Sequence, residues 1–489
     1  MPNSPTLCSA SHRLPIVIHV TNPHEQDLSV IHNSRRTPMD PSGDLYERDE
    51  SVLAGPSKMR FYPLAARSGE GPYLMTDDDR RVLDATSGQG AFGLGYGDAR
   101  LADSARSALM DGGGANVLAM TNSASVEFAQ RLLDVIPGDA GRKVYLGLTG
   151  SDANTAVIRS ARAATQRSKV LSFGHSYHGG IGDSQAASGF NADAGGDMDP
   201  RAVVLPYPDL YRPEAVTGDP ASTEEELLAE VMRRTEETLA SGEIALVLVE
   251  PIAHDGGILI PPKHFLRELH RACRRHGTLL CVDEVKVGLG RTGTFPAYTA
   301  DDYFDHPDHT PDAVTLGKTL GGGLPVSAAI MAPKMADAAT GGLLLTMNGY
   351  PAGSRTGLDV LRRIDDEGLP ERAATQGQLL KDLLLERTAQ MLHVGEVRGC
   401  GLSIGVELVL DRETKEPATD LAAATVYRAF ELGVALNYSG IGGNVLELVP
   451  PLTITRADAE FIADTISQAL RDAEDGKIDP NNLRRFSGW

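Results

Sequence analysis

The stretch EIALVLVEPIAHDGGILIPPKHFLRELHRACRRHGTLLCVDEV, residues 243–285, alternates between two local patterns. Residues 244–249 and 279–282 are short runs of leucine, alanine and β-branched residues, which are typical of strands covered on both faces. Residues 262–277 between them have the character of a helix. A strand, a helix and a second strand in this order indicate parallel strands in an α/β sheet.

The same alternation extends from about residue 105 to residue 345, so the sheet is predicted to be large and mostly parallel. Further strand-like runs lie within residues 142–150, 169–180 and 312–318, and a helix is predicted over 151–166. Ligands of such sheets bind at the carboxyl ends of the strands. We therefore expect the functional residues to follow these apolar runs.

The two ends of the chain have a different character. Residues 71–88, GPYLMTDDDRRVLDATSG, read as a hairpin around an acidic turn. Towards the C-terminus, strands and helices form what is predicted to be a smaller α+β unit. The predicted organisation is an N-terminal extension (1–57), the N-terminal part of a small domain (58–104), a large domain (105–345) and a C-terminal small domain (346–489).

Composition narrows the classes of partner. The 489-residue chain has a formal net charge of −20, which argues against nucleic acid and anionic membranes and is compatible with a cationic substrate. It contains no apolar run long enough for a membrane span and no signal-peptide pattern, so we expect a cytoplasmic protein. The four cysteines are scattered without a CxxC pair, so neither a disulfide framework nor a metal site is predicted.

A phosphate site is predicted where a strand passes through a glycine turn into a helix, in LTGSDANTAVIRSARAA, residues 148–164. Gly150 and Ser151 would present backbone N–H groups and a hydroxyl at the helix N-terminus. The helix dipole and these free donors attract a phosphate. The alternative is an ordinary cap made by serine and aspartate, which is common at helix starts.

Asp283 and Lys318 are ionisable residues at positions that are predicted to be buried. Asp283 ends an apolar strand, where a carboxylate requires a cationic partner such as a protonated ring nitrogen, or Arg291. Lys318 follows the next strand in TLGKTLGGGLP, residues 315–325, and a buried amine loses its charge and becomes nucleophilic. It could form a Schiff base with an aldehyde cofactor, or it could extend to the surface. With the phosphate site, the two residues supply what pyridoxal phosphate needs.

From about residue 58 to residue 489 the sequence resembles the class III aminotransferases, pyridoxal-phosphate enzymes of fold type I. This resemblance implies a large domain whose mostly parallel sheet is of the seven-stranded type. The motifs TGSDAN, SYHG, EPIAHDGG, DEVKVGLGRTG, TLGKTLGGGLP and VRGCGLSIGVEL occur in the family's order. The resemblance is strongest to the branch that includes isoleucine 2-epimerase. It implies that Lys318 is the Schiff-base lysine, that Asp283 pairs with the pyridinium nitrogen and that Gly150 and Ser151 hold the phosphate.

Three further roles follow from the resemblance. Tyr177 would stack on the cofactor ring, and Glu250 would line the substrate side. Thr346, in LLTMNGYP, matches a threonine that reaches the phosphate of the neighbouring subunit, which implies a homodimer.

Two of the positions at which the chain departs from the family bear directly on the chemistry. Lys286 stands where the family has a glutamine that touches the phenolic oxygen of the cofactor. A cation there would favour the ionised phenolate or act as an extra proton donor or acceptor, which makes Lys286 a candidate catalytic residue beside Lys318 and Asp283. Alternatively, Lys286 points away and is neutral to function.

The second departure is Glu447, which stands where many relatives have an arginine that binds the substrate carboxylate. A carboxylate at this position would repel that group, so the predicted substrate is a cationic amine, such as a polyamine or an amino sugar, rather than a plain α-amino acid. Alternatively, Glu447 is solvated at the rim or pairs with Arg398 or Arg355. Arg398 and Glu447 are thus the candidate substrate residues.

Three reactions are compatible with this set. Transamination, the main prediction, needs a keto-acid or amino-acid co-substrate, whose carboxylate Arg355, Arg398 or Arg60 would have to bind. Epimerisation or racemisation needs no second substrate, nor does elimination of a hydroxyl or phosphate next to the reacting carbon. The predicted substrate class, an amino sugar or another cationic amine, points to secondary metabolism such as antibiotic biosynthesis.

Overall fold

The structure of the protein, a computed structural model, describes residues 45–111, 115–190, 199–300 and 310–486. Most of the predicted N-terminal extension therefore lies outside the described residues. Its last part contains the helix Leu45–Val52, in which buried Tyr46 packs edge-on against Phe486 with ring centroids 5.7 Å apart. This contact joins the start of the described chain to its end.

Fifteen strands are present in the described residues. In chain order they are β1 Ala66–Glu70, β2 Tyr73–Thr76, β3 Arg81–Asp84, β4 Lys143–Gly147, β5 Lys169–Phe173, β6 Ala202–Leu205, β7 Ile244–Val249, β8 Leu279–Asp283, β9 Ala313–Leu316, β10 Ser327–Met331, β11 Val394–Cys400, β12 Ser403–Leu408, β13 Val434–Ala435, β14 Asn437–Ser439 and β15 Val445–Leu448.

Ten helices of eight or more residues are present in the described part of the chain. They are Leu45–Val52, Ala99–Met110, Ser123–Val135, Gly150–Thr165, Glu224–Leu239, Phe265–His276, Pro351–Asp366, Leu369–Thr388, Thr419–Glu431 and Arg456–Glu474. Shorter helical segments span Ser87–Gly90, Gly182–Ala186, Glu214–Thr217, Pro333–Ala336 and Pro480–Arg485. No helix in the described part of the chain is both long enough and apolar enough to cross a membrane.

The large sheet has seven strands in the order β4-β10-β9-β8-β7-β5-β6, which confirms the prediction of a mostly parallel α/β sheet. Only β10 runs against its neighbours β4 and β9. Strands β7, β8 and β10 are buried along their whole length, as the continuous apolar runs require. The carboxyl ends of β4, β5, β7, β8 and β9 consequently meet at one edge of the sheet.

Two smaller sheets complete the fold. The predicted hairpin is confirmed, because β2 and β3 pair antiparallel, and β3 also pairs in parallel with β13 from the C-terminal region. The second sheet has the order β11-β12-β15-β14 and is antiparallel throughout. The N-terminal hairpin and the C-terminal unit are thus joined by strand pairing, while the domain boundaries given above stay a prediction.

Candidate active site

Lys318 lies just beyond the carboxyl end of β9, on a turn where its backbone adopts a left-handed conformation with φ of 46°. Its side chain opens into a cavity of about 300 Å³. The cavity is lined by Met59, Phe61, Gln89, Tyr177, Asp255, Lys286, Lys318, Asn437, Tyr438 and Glu447. Burial lowers the pKa of Lys318, and the nearby ammonium of Lys286 lowers it further. Both effects favour the neutral, nucleophilic amine.

Asp283 ends β8 and is buried at the centre of a hydrogen-bond network. Its Oδ2 accepts a hydrogen bond from Asn154 Nδ2 at 2.7 Å and lies 2.8 Å from His178 Nδ1. Its Oδ1 accepts from the backbone N–H of Val285 at 3.0 Å. These donors hold the carboxylate in one orientation. Sequence reasoning missed Asn154 and His178, although both stand inside the motifs TGSDAN and SYHG.

Arg291, the alternative partner of Asp283, is occupied elsewhere. Its buried guanidinium donates to the carbonyl oxygens of Leu402 at 3.1 Å and Pro450 at 2.9 Å. The alternative that Asp283 pairs with Arg291 is therefore wrong.

The predicted phosphate site is the start of the helix Gly150–Thr165. Thr149 and Asp152 form the cap reciprocally, through a capping box, so Ser151 is not needed as the cap. The Ser151 hydroxyl instead accepts a hydrogen bond from the backbone N–H of Gly180 at 3.2 Å. A Cβ at Gly317 would lie 3.6 Å from the Gly150 nitrogen. The turn that carries Lys318 therefore adjoins the amino end of this helix.

Tyr177 and Glu250 are linked through the backbone. Tyr177 lines the cavity, and its backbone N–H donates to Glu250 Oε1 at 2.8 Å. The other carboxylate oxygen, Oε2, accepts from the backbone N–H of His254 at 3.3 Å. Burial raises the pKa of Glu250 well above its usual range, and the charges of Asp283 and Asp255 add to the shift. Glu250 thus fixes the loops that carry Tyr177 and His254.

Lys286 does not point away from the site. Its Nζ lies 2.8 Å from Glu447 Oε1 and also contacts Asp255 Oδ1. Burial disfavours the charged amine, but Asp255 and Glu447 outweigh burial and raise the pKa of Lys286. One ammonium group therefore faces two carboxylates beside Lys318. We call Asp255, Lys286 and Glu447 the carboxylate–lysine cluster.

The environment of Glu447 rules out both alternatives considered above, solvation at the rim and pairing with Arg398 or Arg355. Glu447 is only 3% exposed, so it is not solvated at a rim, and its ionic partner is Lys286 rather than Arg398 or Arg355. Burial raises the pKa of Glu447, and Lys286 opposes that rise. The carboxylate that was expected to face the substrate freely is therefore half of a buried ion pair.

Arg398 is held away from the carboxylate–lysine cluster, which argues against its predicted role in substrate binding. Its Nη1 lies 2.7 Å from Glu396 Oε2 and 2.5 Å from Glu407 Oε2. Its Nη2 donates to the carbonyl oxygen of Gly257 at 2.6 Å. The guanidinium has carboxylate and carbonyl partners, so it has little capacity left for a substrate carboxylate.

Arg355 and Arg60, the other arginines considered for a co-substrate, also have acidic neighbours. Arg355 Nη1 lies 3.5 Å from Glu127 Oε2, and Arg60 Nη2 lies 3.3 Å from Asp49 Oδ2. Thr346 is exposed, on a turn before the helix Pro351–Asp366. Its predicted contact with a neighbouring subunit stays a prediction.

His254 extends the polar cluster but does not make it a metal centre. Ligand atoms of His254, Asp255 and Glu447 lie within 4.8 Å of one another. However, the Lys286 ammonium contacts both carboxylates and supplies the positive charge that a metal would bring. Burial holds the pKa of His254 well below its usual value, so the imidazole is neutral.

The described residues fit pyridoxal phosphate. A Cβ at Gly150 would lie 2.7 Å from Val285 Cγ1, so only glycine leaves this helix start close to the chain after Asp283. Lys318 would hold the aldehyde, Asp283 would face the ring nitrogen, and the amino end of the helix would receive the phosphate. When bound, the cofactor supplies an electron-accepting ring.

Comparisons with known proteins agree with this assignment. Residues 55–470 match the family model for class-III aminotransferases. Isoleucine 2-epimerase of Lentilactobacillus buchneri is 32% identical over 92% of this chain and 99% of its own length. A probable 4-aminobutyrate aminotransferase of Bacillus subtilis is 30% identical over 84% of this chain and 93% of its own length.

The fold is shared with solved transaminase structures. The omega transaminase from Pseudomonas jessenii in complex with PMP is 26% identical, with a TM-score of 0.80. The match covers 89% of this chain and 99% of that one. Together with the family match, it confirms the predicted fold type and the predicted cofactor.

Proposed function

Because the chain belongs to the class III aminotransferase family, whose members depend on pyridoxal phosphate, we propose that it is an aminotransferase that takes its amino group from a cationic amine. The proposed donor is a polyamine-like compound or an amino sugar, and the acceptor is a keto acid. Such a donor would suit an enzyme of secondary metabolism. The single observation that supports this donor class is the charge of the cavity.

The charge of the cavity is set by the carboxylate–lysine cluster. Lys286 is bound by two carboxylates, Asp255 and Glu447, so the cluster is acidic overall. No arginine is found among the described residues that line the cavity. A carboxylate on the carbon that bears the reacting amine would therefore meet net negative charge, whereas an additional ammonium group would be attracted.

A simple electrostatic comparison indicates the size of this effect. Two unit charges about 4 Å apart interact by about 4 kcal/mol when the effective dielectric constant is near 20. Replacing an arginine by Glu447 would reverse the sign of such a term for a substrate carboxylate. Lys286 offsets much of the reversal, yet even about 1.4 kcal/mol of residual repulsion is a tenfold loss of affinity.

Within this proposal the side chains of the site have different roles in the reaction. Lys318 is the amine that holds the cofactor. It then carries the proton removed from the amine-bearing carbon of the substrate, because burial and Lys286 favour its neutral form. Asp283, fixed by Asn154 and His178, provides the negative charge that keeps the ring nitrogen protonated. Tyr177 bounds the cavity on the side of the loop that Glu250 fixes.

A half-reaction without a keto acid tests transfer of the amino group. The holoenzyme is mixed with putrescine, and the visible absorption band of the lysine-bound cofactor is followed. If the enzyme transfers the amino group, this band should disappear while pyridoxamine phosphate accumulates. The band should return when a keto acid is added. An unchanged spectrum with each of a set of cationic amines would contradict the proposal.

Epimerisation is the second candidate, and the similarity to isoleucine 2-epimerase supports it. It requires no keto acid, which suits a cavity without an arginine among its described lining residues. Incubation in deuterium oxide separates the two reactions. Deuterium at the amine-bearing carbon without accumulation of pyridoxamine phosphate would favour epimerisation over transfer.

We propose in addition that the enzyme is a homodimer in which Thr346 of each subunit approaches the phosphate of the other. The exposure of Thr346 on its turn is compatible with that contact. Light scattering is expected to give twice the mass of the chain. Thr346→Ala is expected to weaken cofactor retention without dissociating the dimer, and unchanged retention would contradict the assigned contact.

A further inference from the structure

Asp255 differs from the other two members of the carboxylate–lysine cluster in its exposure. The Asp255 side chain is 20% exposed, whereas the Glu447 and Lys286 side chains are 3% and 5% exposed. All three line the cavity into which Lys318 opens. Asp255 is therefore the carboxylate of the cluster that a substrate can reach most readily.

The two carboxylate oxygens of Asp255 are used unequally. Lys286 donates to Oδ1, and no described residue donates to Oδ2. The backbone of Asp255 is fixed, because its carbonyl oxygen accepts from the N–H of Gly440 at 3.0 Å. A backbone held in place with one unused carboxylate oxygen is suited to accept a hydrogen bond from a ligand.

The charge on Asp255 is retained despite its surroundings. Burial raises the pKa of the Asp255 carboxyl group, but the charge and the hydrogen bond of Lys286 oppose burial, and the pKa is lowered. Lys286 cannot neutralise Asp255 fully, since the same ammonium also lies 2.8 Å from Glu447 Oε1. Asp255 therefore presents to the cavity a negative charge that Lys286 compensates only in part.

We propose that Asp255 is a specificity-determining residue that binds a second ammonium group of the substrate while the first amine reacts at Lys318. This inference rests on the proposed function and narrows its substrate class to amines with at least two amino groups. Lys286 and Glu447 hold Asp255 in place and are not themselves the contact. A charged donor bound to a carboxylate inside a cavity gives both affinity and orientation.

The test compares diamines with monoamines of equal length on the holoenzyme. Putrescine is paired with butylamine, and cadaverine with pentylamine, and apparent Kd values are read from the change in cofactor absorption. The native protein is expected to bind each diamine about tenfold more tightly than its monoamine, or better. Asp255→Asn is expected to bring the ratio of monoamine Kd to diamine Kd to about one, because the amide has no negative charge to bind the second ammonium group.

Two further variants test whether the diamine preference depends on the charge of residue 255 or on the loss of a carboxylate anywhere in the protein. Asp255→Glu retains the carboxylate and is expected to keep part of the diamine preference. Glu243→Gln removes one carboxylate beyond the opposite end of β7, where Glu243 pairs with Lys169, and is expected to change nothing. Retention of the visible absorption band in each variant shows that the fold and cofactor site are intact.

The outcomes separate this inference from the proposed function. Equal binding of diamine and monoamine by the native protein, or a diamine preference that survives in Asp255→Asn, would overturn the role of Asp255 and leave aminotransfer standing. If no amine perturbs the cofactor spectrum of the native protein, the proposed function fails and this inference fails with it.

Discussion

Lys286 Nζ lies 2.8 Å from Glu447 Oε1, and both side chains are buried. At these two positions the resemblance implies a glutamine and an arginine, whereas this chain has a lysine and a glutamate. The structure makes the lysine and the glutamate ionic partners, so their charges compensate each other.

The pairing determines the result expected for Glu447→Arg. This variant would bury a second cation beside Lys286, so a cost of about 3 kcal/mol in the free energy of unfolding is expected. Adding Lys286→Gln should recover at least about 1 kcal/mol of it, because the repulsion is removed. Chemical denaturation of the two single variants and the double variant measures this coupling, and additive effects would contradict the ion pair.

The same pair of changes is expected to alter substrate preference. Lys286→Gln combined with Glu447→Arg should weaken binding of cationic amines and strengthen binding of α-amino acids, each by about tenfold or more. Spectral titration of the holoenzyme with putrescine and with an α-amino acid measures both Kd values. An unchanged ratio of these values would show that the charge of the cluster does not select the substrate.

Asp283→Asn tests the residue assigned to the ring nitrogen. The amide fits the same space and can still accept a hydrogen bond from Asn154 or His178, but it carries no negative charge. We expect the cofactor to remain bound while kcat falls about a hundredfold or more. Stopped-flow measurement of the amine half-reaction gives the rate, with Arg291→Lys as a control for general disturbance of the interior. Near-native kcat would exclude Asp283 from this role.

Glu284, next to Asp283, predicts a pH effect on stability. It is 1% exposed, and burial raises its pKa from 4.5 to about 7. The unfolded chain releases this proton near pH 4.5, whereas the folded protein keeps it until about pH 7. The contribution of Glu284 to the free energy of unfolding is thus fully present below pH 4.5 and is lost as the pH rises through 7. The loss is about 3 kcal/mol at most.

Glu284→Gln should abolish that loss, because glutamine has no proton to release. Its Oε1 can still accept the hydrogen bond that Tyr298 N–H makes at 2.8 Å. The free energy of unfolding of the variant, measured relative to that of the native protein, should increase by about 3 kcal/mol between pH 4.5 and pH 7.5. Glu237→Gln, at a side chain that is 66% exposed, is the matched control. Parallel stability curves for native protein and Glu284→Gln would contradict the assignment.

Lys318→Ala should separate binding of the cofactor from its covalent attachment. The helix start at Gly150 and the Asp283 network remain, so the cofactor is expected to bind without the visible band of the lysine-bound form. Turnover should be lost, because the amine that moves the proton is gone. Absorption spectroscopy of the purified variant after dialysis measures both properties, and measurable turnover would contradict the role of Lys318.

The strands and the position of Asp283 and Lys318 could be predicted because each follows an apolar run whose period and length indicate a buried parallel strand. The cap at Thr149 was not predicted, because serine, threonine and aspartate at a helix start are equivalent until the backbone geometry is known. Sequence patterns specify the local element, and they leave the choice of hydrogen-bond partner within it open.

The partner of Lys286 could not be predicted for a different reason. Lys286 lies on the turn after β8, whereas Glu447 lies in β15. The two residues are far apart in the chain, so no local pattern relates them. Asp255 was visible in EPIAHDGG, but its exposure depends on how β7 and β15 are brought together. Long-range pairing of charges is set by packing, and single-sequence reasoning has no access to it.

Two lysines, Lys318 and Lys286, line one cavity, and the central claim is that only Lys318 bonds the cofactor. The most direct test is to reduce the holoenzyme with borohydride, digest it and locate the phosphopyridoxyl group by mass spectrometry. We expect stoichiometric modification of Lys318 and none of Lys286. Modification of Lys286, or of neither lysine, would contradict it.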